Sequence, residues 1–559
     1  MDTPMPGIVT VDTPLLSVIA GAVATAGRLV DAARTEVRRM VAPDGVVSAA
    51  LLDEFQTEAH GYAWMASYAA VLEAGLDWAR QLDAEGRFGA LEQALLSVGA
   101  AEYVAQLCHG IAMSQDEIMR PEALGLQDLA AEVLAAPSVR ELARRGGSPA
   151  ARVRLSALLR QQGMHALTAS ADLDPDVLMV RTTFRDFADE RVAPHAPGWH
   201  DRDELMPMTL LNELSGLGVF GMTTPEEMGG SGMGSVAMCV VTEELSRGYI
   251  GAGSLGTRAE IACELIRMGG TAEQQAHYLP RIASGELLTT AVFTEPNTGS
   301  DLAHLSTRAE RHGDVYRVFG NKTWITHAAR ADLMILLART NPAERGHKGL
   351  TMFLAEKPRG TDAAPFPAAG MSGGEIKVLG YRGMKEYELA FDGFELPASA
   401  VLGGVEGQGF RQLMATFELA RVQTAARALG VGQCALELAH GYAADRVQFG
   451  RPIIEFPRVA NKLGWMAAEL TMLRQLVYAV ARKKDTGVRC DVEAGMAKLV
   501  AARAAWSAAD NALQIHGGNG YAVEYPISRV LCDSRILNIF EGAAEIQAGI
   551  IVRGLLGRV

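Results

Sequence analysis

Short segments rich in glycine, hydroxyl and charged side chains recur through the second half of the sequence. They are 293–301 (FTEPNTGSD), 320–326 (GNKTWIT), 445–452 (DRVQFGRP), 514–521 (QIHGGNGY) and 539–547 (IFEGAAEIQ). In the last segment, Glu541 stands just ahead of residues with helical apolar periodicity. A helix N-terminus lowers the pKa of a nearby carboxyl, whereas desolvation raises it. Such a carboxylate can be an ordinary acid at a helix start or a tuned general base.

Each of these segments, taken alone, also fits ordinary structure. FTEPNTGSD fits a strand followed by a tight turn, and GGNG fits a surface turn. Their joint occurrence in this order makes coincidence a poor explanation, so we interpret them as parts of one site. The G-x-G-x-x-G pattern at 216–221 is different, because its flanks look helical and a dinucleotide-binding turn must follow a strand. We therefore predict no Rossmann-type NAD site.

The pattern of apolar residues along the chain predicts four domains, which would position these segments. Residues 1–170, 171–287 and 403–559 show helical apolar spacing, whereas 288–402 hold short β-prone runs at 287–293, 314–325, 333–340 and 350–356. We expect an N-terminal helical extension, a helical domain, a middle β domain and a C-terminal helical bundle, in that order.

Bulk properties exclude several classes of protein. The 559 residues exceed one ordinary core, and a net charge of -13 argues against non-specific nucleic-acid binding. The six cysteines are scattered without metal-ligand spacing, so we expect reduced thiols and no metal. No basic leader is apparent, and no uncharged apolar run approaches the roughly 20 residues that span a bilayer. We predict a cytoplasmic protein with no membrane segment.

From about residue 176 to the C-terminus, the segments closely resemble those of the acyl-CoA dehydrogenase family. The resemblance implies a mostly α fold with a central β domain: a helical domain, a β-barrel-like middle domain and a C-terminal helical bundle, here preceded by the N-terminal helical extension. It also implies FAD as cofactor, an acyl-CoA substrate and electron-transferring flavoprotein as electron acceptor. The flavin site of the family is completed by a neighbouring subunit, so a homo-oligomer is expected, with a dimer favoured and a tetramer possible.

The resemblance also assigns FAD-binding residues. Phe293, Thr294 and Ser300 are expected to line the flavin or the CoA chain, with Gly299 also binding the cofactor. Trp324, Ile325 and Thr326 are expected to pack against the isoalloxazine ring. Those expected from the partner subunit are Arg446, Phe449, Gln514, Gly517 and Gly518. A glycine pair lets backbone approach a bulky ligand, and an arginine can neutralise a diphosphate with two parallel donors. Ala543 and Glu545 stand where the family commonly has Thr and Gln near FAD, so the contacts there are expected to differ.

Glu541 is assigned as the base that removes the α-proton of the acyl thioester. The resemblance assigns flavin N5 as hydride acceptor, and the Glu541 backbone N–H with a ribityl hydroxyl as donors to the enolate oxygen. Some relatives carry the base immediately before an Arg, but here Ala420 precedes Arg421, so that alternative base is absent. Arg421 and Ser300 are expected to bind substrate, while Glu418 supports CoA binding or forms an ion pair on the helix face.

The extension resembles that of a branch acting on a short, branched dicarboxylic thioester. This implies oxidation of (2S)-methylsuccinyl-CoA to mesaconyl-CoA, within the ethylmalonyl-CoA route. A buried carboxylate needs a cation, and Arg258 is the candidate, with Thr257 beside it; Arg258 could equally pair with Glu260 or a surface acid. His327 could assist the carboxylate or hydrogen-bond a loop. The extension itself is expected to pack over the C-terminal bundle, in place of the second dimer of tetrameric relatives.

Three alternatives remain open from the sequence. The chain could dehydrogenate another short-chain acyl-CoA, act as an acyl-CoA oxidase or flavin monooxygenase on the same fold, or be a non-catalytic flavin-binding scaffold. Glu541 counts against a monooxygenase, which needs no such base, and the retained flavin-site segments count against a scaffold.

Overall fold

The computed structural model of the chain describes residues 14–169 and 173–557. They form two compact units. One combines the described part of the first 172 residues with Glu455–Gln475, and the other comprises Leu173–Ile454 and the described residues from Leu476 onwards.

The first unit is helical apart from a small antiparallel hairpin, β1 (Ile111–Ala112) and β2 (Ile118–Met119). Its helices are α1 (Leu15–Val41), α2 (Ala49–Glu54), α3 (Gln56–Ala84), α4 (Ala90–His109), α5 (Gln127–Ala135), α6 (Pro137–Gly146), α7 (Pro149–Gln162) and α8 (Ala166–Ala169). The core lies between α1, α3, α4 and α6, because α1 buries one apolar stripe while α3 and α4 are buried on several faces.

Helices of the N-terminal extension pack against Glu455–Gln475 within this unit. Tyr103 of α4 donates a hydrogen bond of 3.2 Å from its hydroxyl to Glu469, and its ring stacks on Tyr68 at 4.2 Å. A Cβ on Gly99 would lie 2.0 Å from the sulfur of Met472, so α4 approaches this segment closely. The N-terminal extension therefore packs on Glu455–Gln475, a segment from the C-terminal part of the sequence.

Among the described residues, α1 is the one helix that is long and apolar enough to cross a bilayer by length and composition. A buried core helix of a globular protein has the same properties. Its apolar stripe here includes Ile19, Ala26 and Leu29, each fully buried.

The second unit surrounds a seven-stranded sheet with helices. Its helices are α9 (Pro175–Phe187), α10 (Ala196–Asp201), α11 (Met208–Gly216), α12 (Gly234–Gly248), α13 (Ile250–Gly269), α14 (Ala272–Ala283), α15 (Gly409–Asp445), the last part of α16 (Pro457–Asp485), α17 (Asp491–His516), α18 (Pro526–Arg535) and α19 (Ala544–Gly557). The G-x-G-x-x-G pattern begins at the last residue of α11, so a helix, and not a strand, leads into it.

The sheet is mixed and has the order β3-β6-β4-β5-β9-β8, with β7 on the other edge of β6. Its strands are β3 (Thr289–Val292), β4 (Arg308–His312), β5 (Val315–Thr326), β6 (Leu333–Arg339), β7 (Leu350–Glu356), β8 (Met371–Ile376) and β9 (Glu386–Pro397). The parallel pairs are β3 with β6 and β4 with β6. A second antiparallel hairpin, β10 (Val447–Gln448) and β11 (Arg451–Pro452), follows α15.

Three helices and one strand position the candidate site. Helix α15 packs along α17 and α13, and α13 also contacts β3. Residues projecting from α13, α15 and the loop before α19 can therefore meet beside the start of the sheet.

Candidate active site

Glu541 lies in a tight loop between a turn at Ile536–Asn538 and the start of α19. Its φ is 53° and that of Gly542 is 94°, and a positive φ is strained for a residue that carries a Cβ. Gln547 Nε2 donates to the Glu541 carbonyl oxygen at 3.1 Å, and Lys498 Nζ donates to the Gly542 carbonyl oxygen at 2.6 Å. Because α19 and α17 each supply a donor, the strained loop is held in place.

The Glu541 carboxylate lies between two arginines. Arg258 Nη2 donates to Oε1 at 2.8 Å, Arg427 Nη2 is 2.7 Å from Oε2, and the Thr424 hydroxyl also donates to Oε2. Burial alone would raise the pKa of the Glu541 carboxyl, but Arg427, Arg258 and Thr424 together lower it to about 2. The carboxyl is therefore ionised near neutral pH, and it is a weak base while both arginines stay paired to it.

Arg427 is a site residue that the sequence analysis missed. Its side chain is fully buried, and besides Glu541 it donates to Thr424 Oγ1 at 2.7 Å and to Ser254 Oγ at 3.2 Å. Its guanidinium also lies over the Phe540 ring, 4.7 Å from the centroid. A signal was available, because Thr424 and Arg427 follow Ala420 by four and seven residues and so share its helix face.

Arg258 projects from α13, and its pairing with Glu541 differs from both expected partners. The alternative pairing with Glu260 is wrong, since Glu260 accepts from the Thr223 backbone N–H at 3.1 Å and from the Thr223 hydroxyl. Arg258 Nε is buried and makes no hydrogen bond. A guanidinium carries five N–H donors, so Arg258 retains capacity for a second acceptor.

A small cavity of about 10 Å³, room for about one water molecule, adjoins Arg258. His327 and Thr289 contribute polar groups to its wall, and Leu255 and Leu288 contribute apolar ones. Burial and then the charge of Arg330 lower the pKa of the His327 imidazole to about 3, so His327 is neutral. His327 and Arg258 thus line the same cavity, one neutral and one charged.

Glu386 of β9 links the arginine cluster to the predicted flavin segment. The Thr326 hydroxyl donates to Glu386 Oε1 at 2.8 Å, and Thr290 Oγ1 donates to the Thr326 carbonyl oxygen at 2.6 Å. Burial raises the pKa of the Glu386 carboxyl to about 7, opposed by the Thr326 hydrogen bond and by Arg258. Thr326, predicted to contact the flavin, thus lies close to the side chain that holds Glu541.

A buried ion pair fixes the segment that begins at Phe293 and Thr294. Glu295 accepts from Lys322 Nζ at 3.1 Å and from the backbone N–H of Thr307 at 2.8 Å. Although burial opposes it, the charge of Lys322 and these hydrogen bonds lower the pKa of the Glu295 carboxyl to about 2. Thr323 N–H also donates to the Thr294 carbonyl oxygen at 3.0 Å, so the two predicted flavin segments are joined directly.

A β-bulge in β5 presents Trp324 outward. The register with β9 shifts between Lys322 and Ile325, and Trp324 has a φ of 59°. As a result Trp324 is 56% exposed, while Ile325 is 1% exposed and packs in the core of the sheet. An indole held on the surface by a strained backbone is suited to stacking on a ligand ring.

The residues expected from a partner subunit form a separate, exposed surface. Arg446 and Phe449 follow α15, and Phe449 is 94% exposed. Gln514, Gly517 and Gly518 are exposed at the end of α17. The two stretches adjoin, because the His516 and Tyr442 rings stack at 4.3 Å.

The remaining predicted residues differ in their surroundings. Gly299 and Ser300 are exposed in the turn after β3, and Glu545 is exposed in the first turn of α19, next to Ala543 and the Glu541 loop. Thr257 is fully buried and its hydroxyl has no hydrogen-bond partner.

Arg421 stacks over Phe417, with the guanidinium 5.6 Å from the ring centroid. Glu418 lies 3.4 Å from Lys484 Nζ, so the ion pair on this helix face is with α16. Among the described residues, no cluster of His, Cys, Asp and Glu is arranged to hold a metal ion.

Comparison with known protein families identifies the class. The N-terminal domain of acyl-CoA dehydrogenase matches residues 174–286, the middle domain matches 290–394 and the C-terminal domain matches 407–556. The chain belongs to the acyl-CoA dehydrogenase family, whose members are FAD-dependent enzymes. The predicted fold class, the enzyme class and the FAD cofactor are thereby confirmed.

Individual relatives refine the comparison. The chain is 58% identical over 544 residues to the (2S)-methylsuccinyl-CoA dehydrogenase of Cereibacter sphaeroides, covering 97% of this chain and 98% of that one. Butyryl-CoA dehydrogenase from Megasphaera elsdenii shares 31% identity and a TM-score of 0.65, over 69% of this chain and 99% of that one. A chain in the structure of the electron transferring flavoprotein of Acidaminococcus fermentans matches equally, at 32% identity and a TM-score of 0.65, over 69% and 99%.

The residues present fit FAD. A Cβ built on Gly517 or Gly518 meets no atom within 4 Å, so there is open space in which a large ligand can approach the backbone. Trp324 and Phe449 offer exposed rings, and Arg446 offers a cation suited to a diphosphate.

Proposed function

We propose that this acyl-CoA dehydrogenase oxidises (2S)-methylsuccinyl-CoA to mesaconyl-CoA, with Glu541 as the base. The observation that carries the proposal is the pair of arginines at Glu541, Arg258 and Arg427. The relative of 58% identity, which acts on this substrate by name, supports it.

The chemistry of the substrate explains why the cations lie beside the base. In methylsuccinyl-CoA the free carboxyl group is bonded directly to Cβ, so its oxygens lie roughly 3–4 Å from Cα. A base that reaches the α-proton therefore stands close to a second carboxylate. Two carboxylates in one buried site repel each other unless cations lie between them. A cation at the far end of a long pocket would serve a longer dicarboxylate, and Arg258 is instead 2.8 Å from the base itself.

The reaction begins when a Glu541 carboxylate oxygen takes the α-proton. The Glu541 backbone N–H donates to the thioester oxygen, which becomes negative as the proton leaves, and the positive φ of Glu541 fixes that donor. Bound FAD supplies the acceptor for the hydride that leaves Cβ. Phe293, Thr294, Trp324 and Thr326 would hold the flavin ring, whereas the Ile325 side chain packs in the core of the sheet. The exposed surface with Arg446 and Gly518 would hold the diphosphate from a second subunit.

We further propose a cytoplasmic homodimer that passes electrons to an electron-transferring flavoprotein. The likeness to a chain in an electron transferring flavoprotein structure supports this acceptor. All six cysteines are free thiols, which suits a reducing compartment. Sedimentation of the full chain at a dimer mass, and flavin in a one-to-one ratio to chain, are the expected results; a tetramer would contradict the dimer.

Anaerobic mixing with acyl-CoA thioesters tests the substrate. The flavin absorbance should bleach rapidly with (2S)-methylsuccinyl-CoA and slowly with glutaryl-, isobutyryl-, butyryl- and octanoyl-CoA. A Glu541→Gln variant that still binds FAD should not bleach with any of them. Faster bleaching by a monocarboxylic thioester would reject the substrate, and fast reoxidation of the reduced enzyme by oxygen would favour an oxidase.

A further inference from the structure

Arg258 and Arg427 hold the same carboxylate, but they are held very differently themselves. Arg427 is fully buried, and its guanidinium is also bonded to Thr424 and Ser254 and covered by the Phe540 ring. Arg258 is 11% exposed, and its guanidinium makes one hydrogen bond, the one to Glu541. Arg427 is therefore a fixed partner of Glu541, whereas Arg258 has its hydrogen bond to Glu541 and otherwise only the charges of Tyr381 and Glu386 nearby.

The surroundings of Arg258 also leave room for another acceptor. Its buried Nε lacks a partner, and the small cavity that it shares with Thr289 and His327 lies on this side of the α13 helix. A carboxylate presented to Nε and one Nη would form two parallel hydrogen bonds, which are stronger than the single bond to Glu541. A buried group with unused donors gains most from such an acceptor.

We propose that the free carboxylate of the substrate takes Arg258 away from Glu541 and thereby releases the base for proton abstraction. This inference rests on the proposed function, because it needs a substrate with a carboxylate on Cβ. Arg427 and Thr424 stay on Oε2 and keep the carboxylate oriented, while Oε1 loses its cation and faces the α-proton. A monocarboxylic thioester leaves both arginines on Glu541, so it binds to an enzyme whose base remains paired.

The electrostatics of the site support this exchange. The charges of Arg427 and Arg258 are the main influences that lower the pKa of the Glu541 carboxyl against the effect of burial. Lys498, which acts on Glu541 from α17, is fixed on the Gly542 carbonyl oxygen and does not exchange. Loss of one arginine from Glu541, in a site closed to water by substrate, moves the carboxyl towards a pKa useful for a base.

If Arg258 exchanges in this way, the enzyme distinguishes dicarboxylic from monocarboxylic thioesters by the rate of proton abstraction and not only by binding affinity. The test compares (2S)-methylsuccinyl-CoA with (2S)-2-methylbutanoyl-CoA, in which a methyl group replaces the carboxylate, at saturating concentrations. In an Arg258→Met variant, bleaching by methylsuccinyl-CoA should slow by roughly 100-fold. Bleaching by 2-methylbutanoyl-CoA should become faster, by about tenfold, which corresponds to one pKa unit on the base. A residue that only binds the carboxylate would slow the first substrate and leave the second unchanged.

Two controls keep the result interpretable. Arg267→Met makes the same change on the same helix, at a 44% exposed side chain paired with Glu264, and should leave both rates unchanged. Arg258→Lys retains a charge without paired donors and should slow methylsuccinyl-CoA less than Arg258→Met does. Flavin content and thermal unfolding verify that each variant is folded.

A second readout does not depend on turnover. In dithionite-reduced enzyme in D₂O, the base can remove the α-proton and return a deuteron without net oxidation. Mass spectrometry should find faster deuterium incorporation into 2-methylbutanoyl-CoA with Arg258→Met than with the unaltered enzyme. Equal incorporation, or an equal slowing of both substrates in bleaching, would overturn the exchange while leaving the substrate assignment intact. Failure of the unaltered enzyme to bleach with methylsuccinyl-CoA would instead reject the proposed function.

Discussion

The Lys498 ammonium donates a hydrogen bond of 2.6 Å to the carbonyl oxygen of Gly542, the residue that follows Glu541. Lys498 is fully buried in α17, and burial lowers the pKa of its amine to about 7. A buried lysine that donates to the backbone carbonyl next to Glu541 acts as a positioning residue for the Glu541 loop.

Replacement of Lys498 by Met should therefore loosen the loop without altering the substrate pocket. We expect flavin reduction to slow by about tenfold or more, with little change in KM, because misplacement of a reacting group costs rate. Stopped-flow bleaching against substrate concentration separates the two effects. Lys483→Met, at a partly exposed lysine paired with Glu493, serves as control; a change in KM alone for Lys498→Met would contradict the positioning role.

The paired state of Glu541 should be visible in the acid stability of the protein. Arg427 and Arg258 outweigh burial and lower the pKa of the Glu541 carboxyl from 4.5 to about 2 in the folded chain. A carboxyl with a lowered folded pKa contributes stability that is complete above its unfolded pKa and is lost as pH falls towards its folded pKa. The window is thus about pH 4.5 down to 2, and the contribution is of the order of 3 kcal/mol.

Thermal unfolding of the unaltered chain and of Glu541→Gln across this window measures that contribution. The difference in stability between them should shrink steadily as the pH falls, since the glutamine does not titrate. A constant difference between pH 5 and pH 2.5 would mean that the arginines do not hold Glu541 in solution.

The buried pair of Glu295 and Lys322 should govern retention of FAD by the middle domain. Glu295→Gln leaves the Lys322 ammonium uncompensated and should destabilise the chain by about 3–5 kcal/mol, with easier loss of flavin. The double variant Glu295→Gln with Lys322→Met removes both charges and should be more stable than Glu295→Gln alone. Urea unfolding and flavin release on dilution report the two effects, and strict additivity of the two substitutions would exclude coupling.

A substitution at Gly518 can test cofactor binding without changing the stability of the chain. A Cβ at Gly518 meets no atom within 4 Å in the single chain, so Gly518→Val should leave the fold of the chain intact. It should nevertheless weaken FAD retention by at least about tenfold if flavin lies against this surface, because the added carbons displace it. Gly27→Ala in α1, equally free of neighbours, is the control and should raise stability slightly without affecting flavin. Normal FAD retention by Gly518→Val would place the cofactor elsewhere.

Much of the sheet was accessible from the sequence, and parts of it were not. The β-prone runs at 333–340 and 350–356 are the strands β6 and β7, and their prediction is confirmed because continuous apolar runs are typical of buried strands. Strand β8 (Met371–Ile376) was not predicted, since it contains two adjacent glycines and is largely exposed. The segment forms a strand because it pairs with β9, although its own residues have little β-propensity.

The candidate site, like the sheet, was predicted from the sequence only in part. Motifs with turn glycines and hydroxyl residues were readable because their residue types and spacing constrain the backbone locally. Arg427 was missed, because its spacing from Ala420 places it on one helix face but does not show its partner, and its contact with Glu541 forms only where α15 meets the Glu541 loop. Arg258 was a candidate from the sequence, but its contact with Glu541 was not predicted, because the two residues lie 283 positions apart.

The bulge at Trp324 has a consequence for how such an enzyme can diverge. Successive strand residues face opposite sides, so loss of the bulged residue would turn the indole inward and expose Ile325. That strand therefore tolerates no change of length, whereas Arg258 and Arg427 sit on helices where one side chain can be exchanged at a time. Substitutions beside Glu541 can therefore be made one side chain at a time, while the bulge fixes the length of β5.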